Sequence, residues 1–100
     1  MSIREAQRQV DEWIASTTEG YYSELTNAVV LMEEVGELAR VMSRQYGDQR
    51  WKPSDRSRKL DEEMADILFV LLALANQTGV DLETSFQQKM KRRSQRDMDG

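Results

Sequence analysis

Residues 67–75 read ILFVLLALA, nine apolar residues in a row, and the stretch just before them, LDEEMAD, carries four acids. On a helix at about 100° per residue such a run is apolar on every side, so it has to be covered from more than one direction. It is also far too short to cross a bilayer, which takes about 20 residues. The chain must therefore bury a helix that has carboxylates at its mouth. The pattern occurs twice. LMEEVGELARV at 31–41 and LDEEMADILFV at 60–70 share two acids, an apolar residue, a small residue, a further acid and a further apolar residue, with Glu63 following Glu34 by 29 positions.

Strand signals are nearly missing, with one Pro, five Gly and no sustained alternation of apolar and polar residues. Four helices are expected: Ile3–Ala15, Glu24–Tyr46 ending at Gly47, Arg58–Thr78 capped by Ser57 and ending at Gly79, and Leu82–Gln95 capped by Asp81. The stretch GDQRWKPSDRS at 47–57 is read as the main loop, where Pro53 disfavours helix at Lys52, and the tail RDMDG is expected to fray. The fold class is all-α, a four-helix bundle-type protomer with an antiparallel central helix pair, in a single domain over residues 1–100. A chain of 100 residues is small for burying a core by itself, which leaves room for association to complete it.

Composition narrows the chemistry. With no cysteine there is no disulfide framework, and with no histidine the commonest general base and transition-metal ligand is missing. A net charge of −4 does not suggest a nucleic-acid coat, although basic runs occur at Arg56–Lys59 and Lys89–Arg93. The opening MSIREAQRQVDEW is polar and helical rather than an apolar signal segment. The expectation is a soluble cytoplasmic protein, with neither nucleic acid nor membrane as partner.

The acids then need a partner. Glu34 and Glu37 share a side of the second helix with Asn27, Val30, Leu38 and Val41, while Leu25, Val29, Met32, Gly36 and Ala39 occupy the other. Glu63 and Asp66 share a face of the third helix with Leu60, Ile67, Val70 and Leu74. Like charges at this i,i+3 spacing repel by about 0.3 kcal/mol on an exposed helix. Buried and unneutralised, a carboxylate costs far more or takes up a proton. A cation held between two helices removes both penalties. Oxygen donors without His or Cys describe a hard-cation site for Mg²⁺ or Mn²⁺, not zinc or a di-iron centre. Mg²⁺ keeps waters and shares its shell with phosphates, which points to phosphoryl chemistry on a nucleotide or similar polyphosphate. Glu33 or Glu62, next to the ligands, could accept a proton or hold water.

The competing reading pairs Glu34 and Glu63 with Arg40, Arg44, Arg58 or Lys59 in a non-catalytic helical interaction module. Lys89, Lys91, Arg92, Arg93 and Arg96 could contact phosphates, or simply complement the helix macrodipole. Trp13 reads as core, Trp51 as a stacking residue in the loop, and Met32, Met42, Met64 and Met90 as packing residues. Asn76 could cap a last turn or meet a ligand amide; Tyr21 and Tyr22 are undecided.

The residues EEVGELA, followed about thirty positions later by EEMADILFVLLALAN, resemble the MazG-like nucleotide pyrophosphohydrolases of the all-α NTP pyrophosphatase group. The resemblance runs from EGYYSELT through the fourth helix. It implies Mg²⁺-dependent hydrolysis of nucleoside triphosphates, often deoxy or non-standard ones, to the monophosphate and pyrophosphate. It also implies metal ligands at Glu34, Glu37, Glu63 and Asp66, Glu33 as a candidate for orienting the attacking water, and a homodimer or homotetramer. Lys89, Arg93 and Arg96 are candidates for triphosphate contact. Many members carry an Asn in the fourth helix where this chain reads KMKRRSQR, so base and sugar contacts do not carry over. A phosphoribosyl-ATP-type pyrophosphohydrolase is the related alternative.

Overall fold

The computed structural model describes residues 1–47 and 59–99, with side chains through residue 97. The expected loop, Trp51, the Ser57 cap and Arg58 lie outside the described residues. The described residues form four helices and no strand: α1 (Ile3–Ser16), α2 (Glu24–Tyr46), α3 (Leu60–Thr78) and α4 (Leu82–Asp99). Among them no single helix is long and apolar enough to cross a membrane.

Local chemistry sets the helix ends. Ser2 caps α1: its Oγ accepts from the Glu5 amide at 3.0 Å and donates to Glu5 Oε1 at 3.1 Å, so one hydroxyl ties both the backbone and the side chain of Glu5. Ser23 caps α2 by accepting from the Thr26 amide at 3.1 Å. α3 ends in a Schellman turn. The Val80 amide donates to the Ala75 carbonyl at 2.9 Å and the Gly79 amide to the Asn76 carbonyl at 3.4 Å, with Gly79 at φ 71° where a side chain would be strained. Gly47 stops α2 for a different reason. Its φ of −102° suits any residue, but a Cβ there would sit 2.5 Å from the Ser43 carbonyl oxygen.

Contacts divide the chain into two compact units, Met1–Tyr21 with Leu72–Gly100, and Tyr22–Leu71. In the first, Val10 and Ile14 of α1 pack with Leu72 and Ala73 of α3, and Ile3, Ala6, Tyr21 and Leu82 close around them. A polar network crosses this core. Gln7 Nε2 donates to Asn76 Oδ1 at 3.1 Å and to the Val80 carbonyl at 2.9 Å, and Gln7 Oε1 accepts from the Leu82 amide at 2.9 Å. Asn76 Nδ2 donates to the Gln7 carbonyl and to Tyr21 Oη, which itself donates to Asp11. In the second unit Val41 and Val70 are buried, along with Asn27 and Glu63.

Several expectations are corrected here. Trp13 is 59% exposed, because the covered stripe of α1 is Gln7, Val10 and Ile14 and Trp13 falls at its edge. Asn76 neither caps a turn with its side chain nor waits for a ligand; it ties Gln7 to Tyr21. Met32, Met42, Met64 and Met90 are exposed in the protomer. The tail stays helical to Asp99.

Arg4 joins the starts of α1 and α4, reaching Asp81 Oδ2 and Glu83 Oε2 at 2.8 Å each. The bonds from Arg4 and Thr84 hold the Asp81 carboxyl below the usual aspartate range. A depressed folded value means the contribution is present above the ordinary aspartate pKa and lost as pH falls through the lowered one. Arg4→Ala is therefore expected to lower the Tm at about pH 7 but hardly at about pH 2. An equal loss at both pH values in thermal melts would rule this out.

Candidate metal centre

The unit Tyr22–Leu71 carries the acids. Along α2 the side bearing Asn27, Glu34 and Val41, each seven residues from the next, is the covered one, with Asn27 and Val41 buried and Glu34 half-buried. Sequence reading places Asn27 on this face without a role. It is buried and engaged in a polar interaction, and the seven-residue spacing to Glu34 was the signal that it would be. On α3, Glu63 and Asp66 are one turn apart.

Glu34, Glu63 and Asp66 converge. Each offers a carboxylate oxygen, and the three oxygens lie within 4.8 Å of one another. Glu63 is only 6% exposed, Glu34 is half-buried and Asp66 is open to solvent, so the cluster has a covered floor and an accessible mouth. Burial raises the Glu34 carboxyl above its usual range; the charges of Asp66 and Glu63, a hydrogen bond with Glu63 and the charge of Glu37 push it the same way. Two carboxyl groups can share a hydrogen bond only when one holds a proton. The three carboxylates thus crowd one another at this separation, a repulsion that a bound cation would offset.

Glu37 follows Glu34 by one turn and is half-buried, outside the set of three. Oε2 of Glu37 and Oε2 of Glu63 are buried atoms that accept no hydrogen bond, although both residues make other interactions. These observations fit a hard divalent cation: several carboxylate oxygens within reach of one ion, no competing imidazole or thiolate in the chain, and an open side where water or a phosphate can enter. Glu33 and Glu62 are exposed beside the ligand candidates. Lys89, Arg93 and Arg96 are exposed on α4, and none of them forms an ion pair or hydrogen bond with another described residue.

Comparison with known proteins gives the family of the chain. The family model of the MazG nucleotide pyrophosphohydrolase domain matches residues 22–99. An uncharacterized protein, YpjD of Bacillus subtilis (strain 168), is 37% identical over 98 residues, 98% of this chain and 88% of its own length. Its crystal structure superposes with a TM-score of 0.79 over 92% of this chain and 94% of that one. The crystal structure of a Bacillus-conserved MazG protein, a nucleotide pyrophosphohydrolase, is 37% identical with a TM-score of 0.76, covering 92% and 88%. The dCTP pyrophosphatase 1 of Rattus norvegicus is 39% identical over 72 residues, 68% of this chain, and this chain spans only 42% of that protein's length. By sequence and by fold, over nearly all its residues, the chain belongs to the MazG nucleotide pyrophosphohydrolase family.

Proposed function

We propose that the protein hydrolyses nucleoside triphosphates to the monophosphate and pyrophosphate, with Mg²⁺ as cofactor and Mn²⁺ able to replace it. The observation that carries this reading is the convergence of Glu34, Glu63 and Asp66 within 4.8 Å in a chain of this family. Those three residues, with Glu37 on the adjoining turn, would hold the ion. When bound, such an ion would offset the charge of the phosphates and acidify water. Water attacks the α-phosphorus and pyrophosphate leaves. Glu33, exposed one residue from Glu34, orients that water and accepts its proton. Lys89, Arg93 and Arg96 offer cations to the triphosphate.

A second copy is part of this reading, as a homodimer or homotetramer. Leu25, Val29 and Met32 line one stripe of α2 and are exposed, and Gly36 on the same stripe has open space where a Cβ would be. A contiguous bare apolar stripe is costly in water and suits helix-on-helix packing.

The test is a panel of NTPs and dNTPs, dCTP and phosphoribosyl-ATP included, scored for pyrophosphate release with and without Mg²⁺. Release that depends on Mg²⁺ or Mn²⁺ is expected. The competing interaction module has in its favour the exposed apolar stripe, which a partner protein would also cover. It predicts no release from any nucleotide and no specific divalent binding in a calorimetric titration, and those two results together would replace the catalytic reading.

A further inference from the structure

Among the described residues of the unit Tyr22–Leu71 two polar side chains are buried, Glu63 and Asn27, and the acid site uses only the first. Packing by itself does not call for an amide at position 27. A leucine fills a covered helix position at lower cost, since a buried amide must recover in hydrogen bonds what it gives up in water. Asn27 is engaged within the chain. A carboxamide has two donor hydrogens and two acceptor lone pairs, however, so one interaction leaves capacity for a second partner.

The place of Asn27 on α2 says what that partner is. Read from Glu34 toward the N-terminus, the covered stripe of the helix passes through the half-buried Leu31 and Val30 and ends at Asn27. Seven residues separate Asn27 from Glu34, about 10 Å along the axis on nearly the same side. On α3 the covered stripe also leaves the acids for apolar residues, from Glu63 to Ile67 and Val70, but toward the C-terminus. That opposite sense is what antiparallel pairing requires once Glu34 meets Glu63 and Asp66. The two stripes give charge at one end, apolar walls beyond it and a single amide at the far end. A nucleotide has the same order: phosphates, then a base with apolar faces, then the hydrogen-bonding edge of that base. The axial span is comparable to the reach from the α-phosphorus to that edge, where adjacent donors and acceptors match those of a carboxamide.

We propose that Asn27 determines base specificity: its carboxamide pairs with the edge of the nucleobase when the α-phosphate lies at Glu34, Glu63 and Asp66. This rests on the reading under Proposed function and adds to it the group that recognises the base. Asn27 is 7% exposed, so the pairing takes place out of water. There a base whose edge does not match leaves the amide and its own groups unpaired, and is rejected more strongly than at an exposed contact.

The test compares kcat/KM over deoxynucleoside triphosphates that share one sugar and differ only in the base. The parent is expected to discriminate among the bases, and Asn27→Leu to narrow the ratio of best to poorest substrate by roughly tenfold or more. Asn27→Asp keeps the shape and gives up both donors, so it is expected to change the order of preference. A residue that only supports the helix would lower every substrate alike. A uniform loss in both variants, an unchanged ratio, or a parent without preference would each overturn the proposal. Circular dichroism shows which variants fold, and Asn27→Asp decides if Asn27→Leu does not. A parent that releases pyrophosphate from no nucleotide would remove the catalytic reading instead. Calorimetric titration with nucleoside monophosphates then decides the role of Asn27: binding by the parent that weakens roughly tenfold in the folded variant supports it, and equal or absent binding overturns it.

Discussion

Glu34→Gln is expected to lose turnover by roughly two to three orders of magnitude while its melting temperature stays level or rises. The two effects have one origin. Burial and the neighbouring acids hold the Glu34 carboxyl above its usual range, so charging that group disfavours the folded protein when no cation is present. Glutamine keeps the volume and an oxygen acceptor and removes the charge, so the repulsion goes and the proposed cation loses a ligand. Asp66→Asn should behave alike in turnover. If the acids were instead neutralised by arginine, the same substitution would leave a cation without its counterion and lower the Tm. Steady-state rates together with thermal melts, both with and without Mg²⁺, distinguish the cases. Full activity in Glu34→Gln would remove this residue from the site, and a clear fall in Tm without Mg²⁺ would favour the salt-bridged alternative.

Gln7→Ala should do the reverse, lowering stability by about 2–4 kcal/mol. Gln7 is buried and its amide is the centre of the first unit's polar network. Truncation strands Asn76 Oδ1, the Val80 carbonyl and the Leu82 amide, three groups that have given up water for these bonds. Leaving partners unsatisfied costs their desolvation, which is why a neutral hydrogen bond that is worth little when made is expensive to break. The expected fall in Tm is roughly 10 °C or more for a chain of this size. Gln7→Glu should be as harmful, since a carboxylate cannot donate to Val80 or Asn76. A Tm within about 2 °C of the parent in both variants would show that the network is dispensable.

Much of the fold was legible because its signals are local. Glycine after a helix and apolar residues at helical spacing bracketed α2 at Glu24–Tyr46, as observed. The acid site was legible for a related reason. Residues 63 and 66 are one turn apart whatever the tertiary structure does, so two acids on one face beside an apolar stripe are visible in the sequence itself. What failed was the burial of particular apolar residues away from that face. Trp13 and Met64 lie at apolar helical positions, and periodicity supplies their angle but not the neighbour on that side.

By itself the sequence determined the helices, the absence of strands among the described residues, and the two acid pairs, because each follows from bonds and angles within a few residues. Only the tertiary structure decided that Glu34 joins Glu63 and Asp66 while Glu37 stands one turn outside, and that Asn76 reaches across 69 positions to Gln7 instead of serving a cap or a ligand. Such meetings depend on how apolar surfaces from distant parts of the chain are buried together, and no spacing along one helix carries that information.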